Sequence, residues 1–270
     1  MNASLLFSHC FGAFYKLSTR LSAELSTILG SRLNSRLSSR LDSLWPRRCL
    51  LCHQIVEPAV HHLPIHHLPI CHCCYHDLPV FTGAYCNNLR LKPSIARGLK
   101  NPQFDQLVCL AAYQWPFNQW ISALKFRRHV NLASTLGKLL SIHISNHLTT
   151  EELPEVLIPL PLYKWRRFNR GFNQADLIAK SLSKSLSIPI DYDALTRIKA
   201  TKAQSGLGKL ARKQNVKGAF EYKATQPYQH VAIIDDVITT GATVNQVCEL
   251  LTQAGVAHIS IWCICATPIE

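Results

Sequence analysis

Two adjacent carboxylates, Asp235 and Asp236, follow a short apolar run in the last third of the chain. The run, Val231–Ile234, is rich in β-branched residues, as expected of a strand buried on both faces of a parallel sheet. Small or hydroxylated residues come next: Thr239, Thr240, Gly241, Ala242 and Thr243. A helical pattern of apolar residues begins directly after them, so the segment predicts a strand–turn–helix unit with acids at its turn.

This unit predicts a site for a ligand that carries both hydroxyls and phosphate. Unpaired amides and the positive dipole end at a helix N-terminus bind phosphate, and Gly241 permits close backbone approach. Carboxylates have the wrong charge for phosphate, but they suit sugar hydroxyls, either directly or through magnesium. In the simpler alternative, the two aspartates only cap the following helix.

A second segment, Tyr163–Gln174, reads YKWRRFNRGFNQ and concentrates positive charge just beyond another apolar run, Val156–Leu160. Its cations are Lys164, Arg166, Arg167 and Arg170. Ligands of open parallel sheets bind outside the carboxyl ends of the strands, so this loop is a candidate polyphosphate clamp. Without that position it would be a solvated face or a nucleic-acid patch.

A third segment, from Arg197 to Lys217, carries seven cations, with no acid between Ala194 and Phe220. A long segment of glycines and cations between elements is typical of a mobile lid over a charged ligand. The candidate lid residues are Lys202, Gln204, Lys209 and Arg212. A disordered basic arm that binds nucleic acid is the alternative.

Clustered cysteines near residues 49–74 have the spacing of a metal site. Two C-x2-C pairs, Cys49 with Cys52 and Cys71 with Cys74, are separated by 18 residues, which matches a four-thiolate zinc ribbon. Four protein ligands leave no open position, so the predicted Zn2+ is structural. His53, His72 and His76 are possible substitutes, and a metal-free loop is the alternative.

The first 48 residues form a basic amphipathic extension with leucine at every fourth position from Leu17 to Leu41. Three interpretations remain open: an organellar transit peptide, a membrane-surface helix, or an extra helix that packs on a partner or frays. No apolar run reaches the ~18 residues of a spanning helix, which favours a cytoplasmic location. A net charge of +13 predicts anionic partners.

Strand and helix patterns alternate from Asp105 to the C-terminus. Such alternation predicts an α/β fold with a parallel sheet and helices on its faces. We expect four regions: an extension over 1–48, a zinc-ribbon module over 49–80, a linker over 81–104 and an α/β domain over 105–270.

The stretch IIDDVITTGAT resembles the phosphoribosyl-pyrophosphate signature of type I phosphoribosyltransferases. With the cysteine pairs, ALKF at 123–126, RRFNRGFNQ at 166–174 and the basic segment at 195–220, the chain from Cys49 onward resembles the ComF family. These are competence-associated proteins with an N-terminal zinc ribbon and a phosphoribosyltransferase domain. The extension and the lone Cys86 depart from the family pattern.

The resemblance implies that Asp235 and Asp236 hold the ribose hydroxyls and favour the positive charge that develops on the ribosyl group. It implies that residues 239–243 cradle the 5′-phosphate and that Arg166, Arg167 and Arg170 lie on the pyrophosphate side, with Mg2+ on the pyrophosphate. The implied activity is that of a glycosyltransferase with an unnamed acceptor, in natural competence and DNA uptake. Single-stranded DNA and a competence helicase or other DNA-processing proteins are the implied partners. The alternative is a non-catalytic module that binds phosphoribosyl pyrophosphate or handles single-stranded DNA through protein partners.

Overall fold

The computed structural model describes residues 47–56, 68–199, 218–224 and 226–269. The predicted amphipathic helix of the extension and all four candidate lid residues lie outside these ranges. The described residues fall into two compact units, one ending at Cys74 and the other beginning at Tyr75. The predicted region boundaries stay a prediction.

The second unit is built on a four-stranded parallel sheet in the order β1-β6-β5-β2. Its strands are β1 (Gln106–Ala112), β2 (Val156–Pro159), β5 (His230–Ile238) and β6 (His258–Ala266). A separate antiparallel pair is formed by β3 (Leu195–Arg197) and β4 (Phe220–Tyr222). Since β2 and β5 are parallel neighbours, with Pro159 paired to Ile234, the segments that follow these two strands leave the same edge of the sheet.

Helices lie between β1 and β2, between β2 and β3 and between β5 and β6, as the alternating pattern predicted, and two short helices precede β1. They are α1 (His72–His76), α2 (Pro93–Ala96), α3 (Phe117–Phe126), α4 (Asn131–His147), α5 (Lys164–Arg170), α6 (Gln174–Leu186) and α7 (Ala242–Gln253). Single 3-10 turns lie at Leu89–Leu91 and Thr150–Glu152. The Asn173 side chain accepts a hydrogen bond from the Ala175 amide and so caps α6, as the preference for asparagine at this position favours.

Both faces of the sheet are buried, which explains the continuous apolar strand sequences. In β5, Val231 and Ile233 belong to the core shared with Val244, Val247 and neighbouring residues of α7. The intervening residues point to the opposite face, where α4 and α6 contact the strands. The predicted fold class, a type I phosphoribosyltransferase-like α/β domain, is confirmed, and the cysteines of the zinc module are brought together.

Residues 81–104, which the sequence predicts as a linker, contain the 3-10 turn Leu89–Leu91 and helix α2. Four apolar side chains of this stretch are buried in the core beneath the sheet: Leu89, Ile95, Leu99 and Phe104. These two elements are only three and four residues long, too short for a periodic pattern of apolar residues to predict them.

Candidate functional site

The acid pair lies within β5, two residues before its end at Ile238, whereas the sequence predicted that the strand ends before Asp235. Asp235 is partly exposed, whereas Asp236 is 7% exposed. The Asp236 amide donates a 2.8 Å hydrogen bond to the Asp235 carboxylate, which fixes the orientation of that side chain. The two acids therefore precede the turn into α7, and their role as ribose-binding groups stays a prediction.

Lys125, from the last turn of α3, forms an ion pair with this site. Its Nζ donates a 2.8 Å hydrogen bond to Asp236 Oδ1. The side chains of Lys125 and Asp236 are 24% and 10% exposed. The ion pair therefore offsets the free-energy cost of burying the Asp236 carboxylate. No pattern of residue types near Lys125 predicts a role for this side chain. Its only signal was its place in the ALKF stretch that carries the family resemblance.

The environment of Asp235 favours its neutral form. Burial, followed by the neighbouring charge of Asp236, raises the pKa of Asp235 to about 7, although Lys125 and Arg197 act in the opposite direction. Arg197 lies at the end of β3, is itself buried, and sits over the Phe220 ring at 5.2 Å. A carboxyl group with a pKa near neutrality beside a cation is typical of a ligand-binding or catalytic position.

The predicted phosphate nest forms the turn into α7. Gly241 adopts φ +75° as the N-cap residue, a left-handed conformation that glycine reaches without strain. Thr239 is exposed, Thr240 and Thr243 are partly exposed, and the Thr240 carbonyl accepts a bond from the Lys100 amide. No side chain among the described residues caps α7, so its first amides are available to an anion.

The predicted cationic loop is instead a seven-residue helix, α5. Arg167 lies 3.6 Å from the Asp176 carboxylate, and Arg170 donates a 2.7 Å hydrogen bond to Gln174. The Arg170 guanidinium also lies 5.6 Å from the centre of the Phe126 ring. The backbone of Arg166 belongs to the same helix, and its side chain is outside the described residues. The cations thus follow β2 at the sheet edge where β5 presents its acids.

The four predicted metal ligands converge in the first unit. One ligand atom from each of Cys49, Cys52, Cys71 and Cys74 lies within 4.8 Å of the others, and the Cys52 and Cys71 sulfurs are 3.6 Å apart. Burial raises the pKa of Cys49, but hydrogen bonds near Cys71, Cys52 and Leu51 outweigh it and lower that pKa to about 6. Four convergent thiols fit a tetrahedral metal ion. Cys73 is not part of this group.

Comparisons with known proteins agree with this geometry. A family model described as "Phosphoribosyl transferase domain" matches residues 173–270. DNA utilization protein YhgH of Escherichia coli K12 is 38% identical over 170 residues, covering 62% of this chain and 75% of that protein. Competence protein F of Haemophilus influenzae is 39% identical over 168 residues, covering 60% and 73%. Competence protein ComFC of Bacillus subtilis is 27% identical over 146 residues, covering 54% and 57%.

The parallel sheet, the acid pair and the glycine-capped helix define a phosphoribosyltransferase-like protein of type I. With the cysteine cluster and these relatives, the chain belongs to the ComF family. No helix in the described ranges is long and apolar enough to cross a membrane.

Proposed function

We propose that the chain binds phosphoribosyl pyrophosphate with magnesium at the carboxyl ends of β2 and β5. The observation that carries this proposal is the acid pair followed directly by the glycine-capped N-terminus of α7. Sugar hydroxyls and phosphate require opposite electrostatic partners, and this turn supplies both within a few residues.

Each group has a distinct role in the proposal. Asp235 and Asp236 accept hydrogen bonds from the ribose hydroxyls, while the amides and threonine hydroxyls of residues 239–243 hold the 5′-phosphate. Arg166, Arg167 and Arg170 face the pyrophosphate. Carboxylate oxygens are the ligands that magnesium prefers, so the donor set fits the ion, which when bound neutralises charge on the pyrophosphate.

The reaction that this arrangement supports is phosphoribosyl transfer to an acceptor. The bond between the ribose carbon and pyrophosphate breaks, the carbon becomes electron-poor, and the acceptor supplies the new electron pair. The carboxylates favour the developing positive charge, and the ion pair with Lys125 holds the Asp236 side chain in place.

Calorimetry with magnesium and phosphoribosyl pyrophosphate tests the binding step. We expect Asp235→Asn to weaken binding at least tenfold, about 1.4 kcal/mol, because an amide cannot replace the carboxylate as acceptor and ligand. Asp193→Asn is the matched control: it removes an exposed carboxylate elsewhere in the chain and should leave affinity unchanged. Equal affinity of wild type and Asp235→Asn would contradict the proposed site.

Turnover separates an enzyme from a non-catalytic binding module. An enzyme releases pyrophosphate when a suitable acceptor is present, and Asp235→Asn should abolish that release. If the ligand binds but no acceptor in a broad panel releases pyrophosphate, the alternative of a phosphoribosyl-pyrophosphate-binding module is favoured.

We also propose that the ion of the four-cysteine cluster is structural zinc, because a sulfur-only donor set with four protein ligands matches closed zinc sites. In this proposal zinc replaces the hydrophobic core that so small a module lacks. Metal analysis of the wild type and of Cys71→Ser tests the assignment: the variant should lose one bound zinc.

A role in DNA uptake is proposed from the names of the relatives, which are competence and DNA utilization proteins. A second candidate function, handling of single-stranded DNA, is favoured by an exposed group of aromatic and cationic side chains. Trp165 and Phe168 of α5 are 66% and 85% exposed, and Phe126 is 74% exposed. Aromatic faces beside arginines stack bases and neutralise phosphates.

The double variant Trp165→Ala/Phe168→Ala tests this second function. Loss of stacking should weaken binding of a fluorescent oligodeoxythymidine by ~30-fold or more, because each of the two stacked bases contributes about 1–3 kcal/mol. Tyr85→Ala, which removes an exposed aromatic ring elsewhere, should bind like the wild type. Unchanged DNA affinity in the double variant would overturn the DNA surface without affecting the phosphoribosyl-pyrophosphate site.

A further inference from the structure

The lone Cys86 has two histidine neighbours that the sequence does not bring near it. One ligand atom from each of Cys86, His143 and His147 lies within 4.8 Å of the other two. Cys86 precedes the 3-10 turn at Leu89–Leu91, whereas the histidines occupy the last two turns of α4. All three residues belong to the unit that begins at Tyr75, whereas the four-cysteine cluster belongs to the other unit.

The arrangement of the two histidines suits coordination of a metal ion by their ring nitrogens. They are four residues apart on one helix, so their rings share a face, with centroids 4.4 Å apart. The His147 Nδ1–H donates to the His143 carbonyl at 2.8 Å, which leaves Nε2 of His147 as the atom with a free lone pair. A backbone carbonyl in this position commonly orients metal-bound histidine.

His143 contains a polar atom that the described protein does not satisfy. Its side chain is only 5% exposed, and its Nε2 is buried with no hydrogen-bond partner among the described residues. An unpaired buried nitrogen costs about 1–3 kcal/mol, and a metal ion would satisfy it.

The Cys86 segment is held in place by its neighbours. The Asn88 side chain donates to the Asp105 carbonyl at 3.0 Å and accepts from the Leu107 amide at 3.1 Å, which fixes the segment to the start of β1. Helix α4 contacts the same strand. Tetrahedral zinc with one sulfur and two nitrogen ligands needs ligand atoms ~3.5 Å apart. The three ligand atoms lie within 4.8 Å of one another, so small side-chain movements bring them to these distances.

We propose that Cys86, His143 and His147 form a second metal site, of the cysteine–dihistidine type, that binds zinc. Three protein ligands leave a fourth position for water, unlike the closed four-cysteine cluster. Both histidines line a cleft of about 240 Å³ with Tyr75 and His76, so the fourth position is reached through that cleft. The ion links α4 to the segment that precedes β1.

Zinc titration of the full chain, in competition with a chromophoric chelator and with a non-thiol reductant, tests the site. In His147→Gln, one of the bound zinc ions should bind more weakly than in the wild type. Because a direct ligand is lost, the affinity should fall by more than the ~10–100-fold that follows loss of an outer-shell partner. His129→Ala removes an exposed histidine two residues before α4 and should bind zinc like the wild type. Because His147 is only partly buried at the end of its helix, the Gln variant should fold.

Cobalt provides an independent readout. In Cys71→Ser/Cys74→Ser, which disables the four-cysteine cluster, Co2+ should still produce the visible bands of a tetrahedral site with one thiolate-to-metal absorption. Adding Cys86→Ser should abolish the thiolate absorption, and adding His147→Gln should weaken Co2+ binding. The proposal is overturned if wild type and His147→Gln bind zinc identically, or if the double variant shows no tetrahedral cobalt spectrum.

Discussion

At the scale of single residues, the site depends on how Asp235 and Asp236 share the charge of one lysine. Lys125 pairs directly with Asp236, and its charge also lowers the pKa of Asp235. Two carboxylates with different environments can be in different protonation states at the same pH. Lys125 lies in direct contact with Asp236, while burial and the neighbouring charge of Asp236 raise the pKa of Asp235 to about 7.

Affinity for magnesium phosphoribosyl pyrophosphate should therefore rise between pH 6 and pH 8. The raised pKa of Asp235, about 7, means that the carboxylate that binds hydroxyls or magnesium is increasingly populated above neutrality. Lys125→Met removes a charge that lowers this pKa, so the midpoint of the profile should move to higher pH. Calorimetry across the pH range measures both effects.

The non-titrating variant Asp235→Asn supplies the baseline for titration of the ligand's own phosphates. Lys180→Met is the matched control, because it replaces an exposed lysine on α6 and should leave the midpoint where it is. A wild-type profile that parallels that of Asp235→Asn would show that Asp235 does not titrate in the proposed way.

At the scale of elements, α4 and α6 approach closely at Gly137. A Cβ at this position would lie 2.5 Å from the Ser181 Cβ and 3.2 Å from the Ile178 carbonyl oxygen. Contacts this short require the helices to separate. Close packing here sets the position of α6, which follows the cationic helix α5.

Gly137→Ala should destabilise the protein by about 1–3 kcal/mol, since overpacking outweighs the ~1 kcal/mol that alanine gains over glycine within a helix. Urea unfolding followed by circular dichroism measures the change. Combining it with Ser181→Gly removes the clashing side chain and should restore part of the loss. If Gly137→Ala resists urea as well as the wild type, the helices are not in contact at this point.

Local patterns predicted the elements well. The apolar run of β5, the glycine before α7 and the Asn173 cap of α6 are each encoded within a few neighbouring residues, so the sequence identifies them. Contacts between distant residues were not predictable in this way. Lys125 and Asp236 are 111 residues apart, and Cys86 meets histidines of another element only after folding.

At the scale of the whole molecule, the net charge is +13, and exposed cations around α5 contribute to it. Arg128 donates to the Asn169 carbonyl at 3.2 Å, so the segment after α3 and the helix α5 lie together on one surface. Such a surface attracts both phosphate and nucleic acid. The salt dependence of the binding affinity distinguishes long-range attraction by the net charge from contacts of individual residues with phosphates.

If this surface binds single-stranded DNA, affinity should fall with salt at a log–log slope of about −2 to −3, equivalent to three or four phosphates. Arg167→Ala should reduce the magnitude of that slope by ~0.7, because one phosphate contact is lost. Lys184→Ala, in the last turn of α6, is the control. Fluorescence anisotropy at several salt concentrations measures these slopes. An unchanged slope for Arg167→Ala would show that Arg167 does not contact the DNA phosphates.

The two helices that border the site begin differently. Helix α6 is capped by its own Asn173 side chain, whereas α7 begins at Gly241 and has no side-chain cap among the described residues. An anion in the turn would perform for α7 the task that Asn173 performs for α6. Anion binding in this turn should therefore stabilise the first turn of α7, which couples ligand affinity to the local stability of this helix.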